Sequence, residues 1–299
     1  MTIVLVTGGC GFIGSHLVDQ LIETNKYEVH VIDIKDTWIN PKAIYHTVDI
    51  CDEKRLTDTI NNIKPNVCVH LAGILGTSET WDYPNETVRV NIIGANNVYI
   101  ACGSIKCDII TVDVGSRWLS PYTITKTCSA DFTQAFALKY GIRCGLLRIF
   151  NVYGPRQSTK IIKIAPMFIH KALTGSTMEV WGNKNLDLVY VSDVARAFVL
   201  SIDKLDMINN RRDIYIGSGK QLTTEEFGKR IINNIGNGNI KICGDRLGEN
   251  NIDSGFMDND CALKLLGWSP SVDLDEGIKK TIEFYLSKEI NIVERFGKF

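Results

Sequence analysis

A short apolar run that enters a glycine-rich turn and then a helix constrains this chain more than any other feature. Ile3 to Val6 form the run, glycines follow at a spacing of three, and apolar residues then recur at helical spacing. Such glycines permit a sharp turn, a close approach of backbone N–H groups to a pyrophosphate, and tight packing of helix on strand. The pattern predicts a dinucleotide-binding turn with contacts from Gly8, Gly11, Phe12, Ile13 and Gly14.

An acid at the end of the second predicted strand indicates which dinucleotide this turn would bind. The apolar residues Val29 to Ile32 predict that strand, and Asp33 ends it, about 20 residues past the turn. A carboxylate at this place accepts hydrogen bonds from the adenosine ribose and repels a 2′-phosphate. We therefore expect NAD as the cofactor, with Asp33 and Ile34 beside the ribose. The alternative for Asp33 is a solvated acid in a loop.

Composition excludes several classes of protein. The chain has 299 residues, 44% of them hydrophobic and 22% charged, and its net charge of -1 gives no basic field for nucleic acid. No apolar run is long enough to span a membrane, and no charged leader with an apolar core opens the chain. We expect a cytoplasmic protein with no nucleic-acid or membrane partner.

The nine cysteines are scattered and include no C-x-x-C pair. This spacing argues against a zinc site and against a disulfide framework, so we expect no metal. Most of the cysteines lie in apolar segments and suit small core positions. Cys10 lies inside the glycine turn, where we expect it to be partly exposed and somewhat acidic, without a catalytic role.

Strands alternate with helices over the first half of the chain. This alternation predicts an α/β fold, a Rossmann-type doubly wound parallel sheet with a smaller C-terminal substrate domain. Residues 1–152 would form the NAD-binding core, and residues 153–299 would form a substrate-binding region interleaved with it in space. The predicted strands are 3–6, 29–33, 67–71, 109–114 and 144–149, and the predicted helices are 53–63, 86–102, 121–140, 164–173, 191–202, 224–235, 260–266 and 275–286.

Tyr122 and Lys126 stand four residues apart near the start of a predicted helix, so they share one helix face. A tyrosine is a poor base near neutral pH unless positive charge favours its phenolate. The Lys126 ammonium and a nicotinamide ring would supply that charge, and Lys126 could also hold the nicotinamide ribose. The alternative is an amphipathic surface pair. The position of the pair after a glycine turn and a further strand favours catalysis.

Taken together, these motifs resemble the extended short-chain dehydrogenase/reductase family, specifically its nucleotide-sugar epimerases and dehydratases. The likeness runs nearly from end to end. The matching stretches are Thr7 to His16, Asp49-Ile50, His70 to Gly73, Asn91 to Gly94, Tyr122 to Lys126, Arg148 to Arg156, Tyr190 to Ala195 and Leu266 to Pro270.

The resemblance implies further roles. Asp49 and Ile50 would meet the adenine, and Leu71, Ala72 and Gly73 would line the ribose and phosphate side of the cofactor. The substrate would be held by Asn151, Arg246, Thr77 and Ser116. Asn151 would touch the substrate phosphate from a loop at the carboxyl end of the strand predicted at 144–149. Arg246 suits a diphosphate through its bidentate fork, or else it is a solvated loop charge.

Two departures from the family's pattern affect the site. The loop before Tyr122 is much shorter than is usual, so the hydroxyl that contacts the sugar O4 is either Thr111 or Ser116, with Thr111 slightly favoured. Leu186 precedes Asp187 where many relatives have an arginine. One phosphate contact is then lost or is supplied elsewhere, for example by Lys184.

The resemblance implies hydride chemistry at C4 of a nucleoside-diphosphate hexose, through a 4-keto intermediate. Return of the hydride to the opposite face gives a 4-epimerase, with UDP-glucose, UDP-galactose or their N-acetyl forms as substrates. Loss of water first gives a 4,6-dehydratase, which needs acidic groups that only Asp113 or Glu79 could provide. The epimerase is favoured. A simple carbonyl reductase and a non-catalytic dinucleotide-binding protein remain alternatives.

The family also commonly dimerises through the two helices predicted at 86–102 and 121–140. Residues on these helices suit either an interface or a core. They are Val98, Ala101, Phe132, Ala135 and Phe136. We expect a homodimer.

Overall fold

Seven parallel strands form the main sheet. They are seen in a computed structural model that describes residues 1–76, 79–114, 119–159, 163–244 and 258–287. Each strand is followed by a crossover, because parallel neighbours cannot be joined by a tight hairpin. The strands are β1 (Thr2–Thr7), β2 (Tyr27–Asp33), β3 (Ile44–Thr47), β4 (Val67–His70), β5 (Asp108–Val114), β6 (Cys144–Ile149) and β10 (Ile214–Ile216).

The order of the strands creates one switch point, between β1 and β4. Strands β2 and β3 extend the sheet on one side of β1, and β4, β5, β6 and β10 extend it on the other. Crossovers therefore leave in opposite directions from this place. A crevice at the carboxyl ends of β1 and β4 is where such sheets bind ligands.

The helices follow the strands as the sequence predicts. Helix α5 matches its predicted bounds because Ser120 and Thr123 cap it reciprocally and Gly141 ends it in the left-handed conformation. The helices are α1 (Phe12–Glu23), α2 (Glu53–Ile63), α3 (Pro84–Val88), α4 (Ala95–Ser104), α5 (Pro121–Tyr140), α6 (Ile164–Leu173), α7 (Val191–Asp203), α8 (Leu205–Ile208), α9 (Thr224–Ile235) and α10 (Leu274–Ser287).

The helix predicted at 86–102 is longer and less regular than expected. A π-helical segment, Arg89–Gly94, joins α3 to α4, and the residues on both sides of each junction remain right-handed. Such segments are rare and occur often at functional sites. A second π-helical turn, Ala262–Leu266, replaces all but the first two residues of the helix predicted at 260–266.

Two compact units make up the chain. The first comprises Met1–Ile149, Val194–Ile216 and Asn259–Ser269, and the second comprises Phe150–Asp193, Gly217–Asp258 and Pro270–Phe299. The sequence predicts one boundary after residue 152 with later residues interleaved in space, and the chain returns to the first unit twice. Strand β10 belongs to one of these returns. This strand is a short apolar segment with no pattern that assigns it to the main sheet, so the sequence alone does not predict it.

The second unit contains two small sheets. One has the order β11 (Gln221–Thr223), β9 (Asn185–Tyr190) and β7 (Asn151–Tyr153), and the other pairs β12 (Asn239–Cys243) with β8 (Thr177–Trp181). Aromatic residues, among them Phe168 and Phe227, fill the core of this unit beside α6 and α9. The predicted α/β architecture with a smaller C-terminal domain is confirmed.

None of the helices in the part of the chain that the structure describes has the length and apolar character needed to cross a membrane.

Close packing of α4 on α5 gives a test of the fold in the first unit. A Cβ on Gly103 would lie 2.2 Å from the ring of Tyr140, so Gly103→Ala forces this ring to move. We expect the substitution to lower the free energy of unfolding by about 1–3 kcal/mol, the usual cost of overpacking. Urea denaturation followed by circular dichroism measures it. Gly244→Ala is the control, since no described residue lies within 4 Å of its Cβ, and an equal loss there would contradict the packing argument.

Candidate active site

The glycine turn after β1 is shaped by contacts that no side chain could make. Gly8 has a φ of +73°, and a Cβ there would lie 2.7 Å from the backbone nitrogen of Ala72. A Cβ on Gly14 would lie 2.2 Å from the carbonyl oxygen of Gly8. Glycine is therefore required at both positions, since any side chain would push β1, α1 and the segment after β4 apart.

Helix α1 begins at Phe12 and presents its N-terminus at the carboxyl edge of the sheet. Gly11 precedes it in an extended conformation, and no side chain caps the helix. The first backbone N–H groups of a helix have no partner within it, and the helix dipole favours an anion beside them. This uncapped N-terminus, with Phe12 and Ile13 half-buried, fits the pyrophosphate of a dinucleotide.

Asp33 ends β2 and is fixed by two backbone donors. Its carboxylate oxygens accept hydrogen bonds from the N–H groups of Cys10, at 2.9 Å, and Lys35, at 3.0 Å. The neighbouring Ile34 is 70% exposed. Since Asp33 touches the glycine turn directly, it is part of the same site and not a loop acid remote from it.

Cys10 differs from the expectation. It is only 7% exposed, and its thiol donates to the carbonyl oxygen of Thr37 at 3.1 Å. Burial, with the nearby Asp33 carboxylate, raises the pKa of the Cys10 thiol to about 11. The prediction of an exposed, acidic thiol is therefore wrong, and Cys10 is a packing residue that joins the turn to the loop after β2.

The segment after β4 is held at both ends. The N–H of Leu71 donates to the carbonyl of Thr7 at 3.0 Å, next to the glycine turn. Asn91, in the π-helical segment, accepts from the N–H of Ile74 at 2.8 Å and donates to its carbonyl at 2.9 Å. Leu71 and Ala72 are half-buried and Gly73 is exposed, so this segment borders the switch point with an ordered backbone.

Asn91 belongs to a stretch that matches the family's pattern, but the sequence alone indicates no role for its side chain. Its side chain also donates to Thr125 Oγ1 on α5 at 3.1 Å. A Cβ on Gly73 would lie 2.9 Å from Asn91 Oδ1, which shows how closely the two segments approach. A buried amide that satisfies a backbone N–H and C=O at once is a recognisable positioning device, but its partners lie too far along the chain to be predicted.

Asp49 and Ile50 differ in their accessibility. Asp49 is half-exposed, accepts from the N–H of Cys51 at 2.9 Å and lies 3.7 Å from the guanidinium of Arg89. Ile50 is 4% exposed and packs into the core, while its carbonyl accepts from Asn97 at 3.0 Å. Ile50 is therefore used mainly for core packing. Of the two residues expected at the adenine, Asp49 is the one whose side chain is accessible to a ligand.

Tyr122 and Lys126 lie on the first turns of α5, at the same edge of the sheet as the glycine turn. Lys126 is 6% exposed, and its ammonium makes no hydrogen bond or ion pair with the residues that the structure describes. Burial lowers the pKa of Lys126 to about 8, opposed by the charge of Asp113. An unpaired buried ammonium costs free energy, so the site is built to receive polar groups of a ligand.

Burial also governs Tyr122. It raises the pKa of the phenol to about 12, and Lys126 does not offset it. The prediction that Lys126 and a nicotinamide ring together lower this pKa concerns the loaded site and stays a prediction. Because Lys126 is buried and Tyr122 is half-buried, the alternative of an amphipathic surface pair does not hold.

Thr111 lies in the middle of β5 with its hydroxyl already used. It is 1% exposed, and its Oγ1 donates to the carbonyl of His70 on β4 at 3.1 Å. The hydroxyl of Thr111 thus links β5 to β4, and the buried side chain is not accessible to a substrate. Three of the four other residues predicted around the substrate lie outside the described residues, namely Ser116, Thr77 and Arg246.

Asp113 lies near the carboxyl end of β5, and its carboxylate is buried. From the sequence alone, its one predicted role is that of a possible dehydratase acid. Arg148 Nε lies 2.9 Å from its Oδ2, Arg212 Nη2 lies 3.0 Å from the same oxygen, and the N–H of Val114 donates to Oδ1 at 2.8 Å. Asp113 is thus enclosed by donors. The arginines come from β6 and from the segment before β10, so only the fold brings them together.

In the second unit, Asn151 begins strand β7 and pairs with Leu188 on β9, whereas the sequence placed it in a loop. Asp187, fully buried, accepts from Ser218 Oγ at 2.7 Å and the N–H of Gly219 at 3.1 Å. Leu186 packs against the core of the unit. Asp187 therefore holds the loop that contains Ser218 and Gly219, and Leu186 before it makes apolar contacts.

Among the described residues, no group of three or more His, Cys, Asp or Glu side chains converges as metal ligands would.

Comparison with known proteins agrees with this geometry. A model of the NAD-dependent epimerase/dehydratase family matches residues 4–116 and 111–217, which is most of the chain. The chain belongs to this family. NAD is accordingly its cofactor, as the sequence predicts, and the protein is an NAD-dependent enzyme.

Individual relatives cover nearly the whole length of this family member. A putative UDP-glucose 4-epimerase of Methanocaldococcus jannaschii is 32% identical over 306 residues, which span 94% of this chain and 97% of that protein. The crystal structure of UDP-glucose 4-epimerase with UDP-glucose from Thermotoga maritima has a TM-score of 0.88 and 29% identity, covering 96% of this chain and 99% of that one. The UDP-glucose 4-epimerase of Thermus thermophilus, in complex with NAD, has a TM-score of 0.83 and 26% identity, covering 95% and 99%.

The position of Asp33 predicts the selectivity of this family member for its cofactor. Asp33→Ser removes the carboxylate that would accept from the ribose and repel a 2′-phosphate. We expect the Kd for NAD to rise about tenfold or more, the usual loss of a hydrogen bond to a charged group, and the preference over NADP to shrink. Isothermal titration calorimetry with both dinucleotides measures this. Asp36→Ser, in the same loop with an exposed side chain, is the matched control, and equal behaviour of the two variants would contradict the assignment.

Proposed function

We propose that the protein is a 4-epimerase of a UDP-linked hexose, such as UDP-glucose, UDP-galactose or their N-acetyl forms, that acts through a 4-keto intermediate. The observation that carries this proposal is the pair formed by Tyr122 and Lys126. A half-buried phenol and a buried ammonium that no described residue pairs with lie one turn apart at the carboxyl edge of the sheet. The names of its relatives from Methanocaldococcus jannaschii and Thermotoga maritima support the same reaction.

Tyr122 is the proposed base for the C4 hydroxyl of the sugar. Its pKa of about 12 keeps the phenol protonated near neutral pH in the protein by itself. When bound, NAD accepts and returns the hydride at C4 and places a positive ring in this site. Positive charge beside a buried phenol favours the phenolate, so Tyr122 takes up its role as base only in the loaded enzyme.

Lys126 is the proposed holder of the nicotinamide ribose. Its ammonium has three donors, and its buried position leaves them for ligand hydroxyls. Near neutral pH the ammonium form prevails, since its pKa is about 8. The same charge then stabilises the Tyr122 phenolate, which lies one helical turn away.

The surroundings of Asp113 favour epimerisation over dehydration. A 4,6-dehydratase must protonate and deprotonate the sugar around C5 and C6 with acidic side chains. Asp113 is 2% exposed and is enclosed by Arg148 and Arg212, so it is not free to exchange a proton with a sugar. Glu79 alone, in the short turn Glu79–Trp81, does not make an acid and base pair.

The substrate contacts follow from the family's pattern and stay predictions. Asn151 and Arg246 are proposed for the diphosphate, and Thr77 and Ser116 for the sugar side. Because the hydroxyl of Thr111 is bonded to His70 inside the sheet, we assign the contact with the sugar O4 to Ser116. This choice reverses the slight preference for Thr111 in the sequence analysis.

Proton NMR tests the reaction. The purified protein is mixed with NAD and, in turn, with UDP-glucose, UDP-galactose and their N-acetyl analogues. We expect the coupling pattern of the sugar H4 to change while C6 keeps its hydroxyl. A new C6 methyl doublet would establish the dehydratase in its place, and no change over a wide panel of nucleotide sugars would favour a binding protein without turnover.

Replacement of the proposed base gives a sharper test. Tyr122→Phe removes only the hydroxyl, so kcat falls by about a hundredfold or more while NAD still binds, the loss expected for a general base. Turnover by the NMR assay and NAD affinity by calorimetry separate these effects. Tyr140→Phe, at the other end of α5, serves as the control. Full activity in Tyr122→Phe would overturn the assignment of the base.

We further propose a homodimer that forms through α5 and the helix beside it. Ile124 and Phe132 are 54% and 36% exposed and lie two turns apart on one face of α5. Ile93 and Ile100, on the neighbouring helix, are 53% and 38% exposed. Aligned exposed apolar side chains of this kind mark interaction surfaces. Val98 and Ala101 are core residues and take no part.

Charge placed on this face tests the dimer. We expect Ile124→Asp combined with Phe132→Asp to yield monomers in sedimentation equilibrium, because two carboxylates cannot be buried against a partner copy. Ile242→Asp is the matched control, since Ile242 is 51% exposed on β12 of the second unit. Dimers that persist in the double variant would place the interface elsewhere.

A cytoplasmic location is proposed from the cysteines. All nine are free thiols, several of them in the core. Free thiols persist in reducing compartments, whereas oxidising ones favour disulfides.

A further inference from the structure

A buried ion network lies at the carboxyl end of β5 and reaches α5, the helix that carries Lys126. At its centre is Asp113, whose side chain is 1% exposed. Arg148, from β6, also donates to the hydroxyl of Tyr215 on β10 at 3.1 Å, so the network ties three adjacent strands together. A carboxylate is costly to bury unless donors surround it. The burial of Asp113 therefore indicates a role other than that of a solvated surface charge.

Arg212 extends the network to the helix that carries the catalytic pair. Its guanidinium bonds Asp113 through Nε at 3.2 Å and Nη2 at 3.0 Å, and its Nη1 bonds Asp131 on α5. Asp131 lies five residues after Lys126 on the same helix. One side chain thus joins the end of β5 to α5, and its planar fork fixes the angle between them.

Among the residues that the structure describes, two titratable side chains interact with the charge of Lys126. Asp113 is the anion that opposes the effect of burial on it, and His70, from β4, is a further titratable group that its charge affects. Burial lowers the pKa of His70 to about 3, and its Nδ1 is bonded to the hydroxyl of Thr7 at 2.7 Å, so this imidazole stays neutral. Tyr122 on the preceding turn stays a neutral phenol. Arg148 and Arg212 lie behind the carboxylate and partly neutralise it.

We propose that Asp113 is a positioning residue for the reaction, which holds α5 in place through Arg212 and supplies the negative charge that keeps the buried Lys126 an ammonium ion. The inference rests on the proposed function for its catalytic meaning, but its electrostatic content belongs to the protein without ligand. The arginines set the strength of this charge. Removal of the carboxylate and removal of one arginine therefore act on Lys126 in opposite directions.

Carbon-13 NMR of the Lys126 side chain tests this in the protein without cofactor. The protein is labelled at the lysine Cε, the signal is assigned with Lys126→Met, and its chemical shift is followed as the pH is raised. Asp113→Asn should lower the midpoint of the titration, since the neutral amide no longer favours the ammonium. Arg212→Gln should raise it, since the carboxylate then loses a positive neighbour. A residue with only a structural role would not shift the two midpoints in opposite senses.

Asp108→Asn is the matched control. Asp108 begins the same strand, is 14% exposed and is paired with Arg143 at 2.5 Å, but it lies at the opposite end of β5. It should leave the Lys126 midpoint unchanged. Circular dichroism shows whether each variant is folded. If Asp113→Asn fails to fold, the Lys126 midpoint in Arg212→Gln alone tests the proposal. An unchanged or lowered midpoint in Arg212→Gln would overturn the proposal.

The pH profile of turnover separates this inference from the proposed function. The alkaline limb of kcat should move to lower pH in Asp113→Asn and to higher pH in Arg212→Gln, with KM little changed in both. If the protein does not epimerise UDP-hexoses, the NMR titration still decides the role of Asp113. If epimerisation is found and the midpoints do not move, only the inference about Asp113 fails.

Discussion

The structure of the first unit depends on how closely helix α1 approaches the end of β1. The Cα of Gly14 lies so near the carbonyl oxygen of Gly8 that even a methyl group would have no room. This approach brings the N-terminus of α1 to the switch point between β1 and β4. From it follow the direction of the crossovers, the place of the crevice, and the edge at which Asp33, Leu71 and Tyr122 all lie.

Burial determines the chemistry that this edge can support. It raises the pKa of the Tyr122 phenol and lowers that of the Lys126 ammonium, so each group is driven toward its neutral form. In the proposed mechanism, Asp113 supplies negative charge to the lysine, and bound NAD would supply positive charge to the tyrosine.

Long-range polar contacts hold the edge together. Asn91 joins the segment after β4 to α5, and Arg212 joins the end of β5 to the same helix. Both side chains reach partners more than fifteen residues away in the chain. Helix α5 is thus fixed from two sides, which suits the proposed role of its first turns in holding Tyr122 and Lys126 in register.

The sequence by itself determined the local parts of this protein. The glycine spacing, the alternation of strands and helices, the capping residues of α5 and the family motifs depend on neighbours within a few residues, and they predicted the fold, the family and NAD. The tertiary structure decided what depends on distant neighbours. It placed β10 in the main sheet and bonded the hydroxyl of Thr111 to the neighbouring strand. It also buried Cys10 and enclosed Asp113 with two arginines. Burial and charge pairing arise only when segments far apart in the chain meet, so no local pattern could show them.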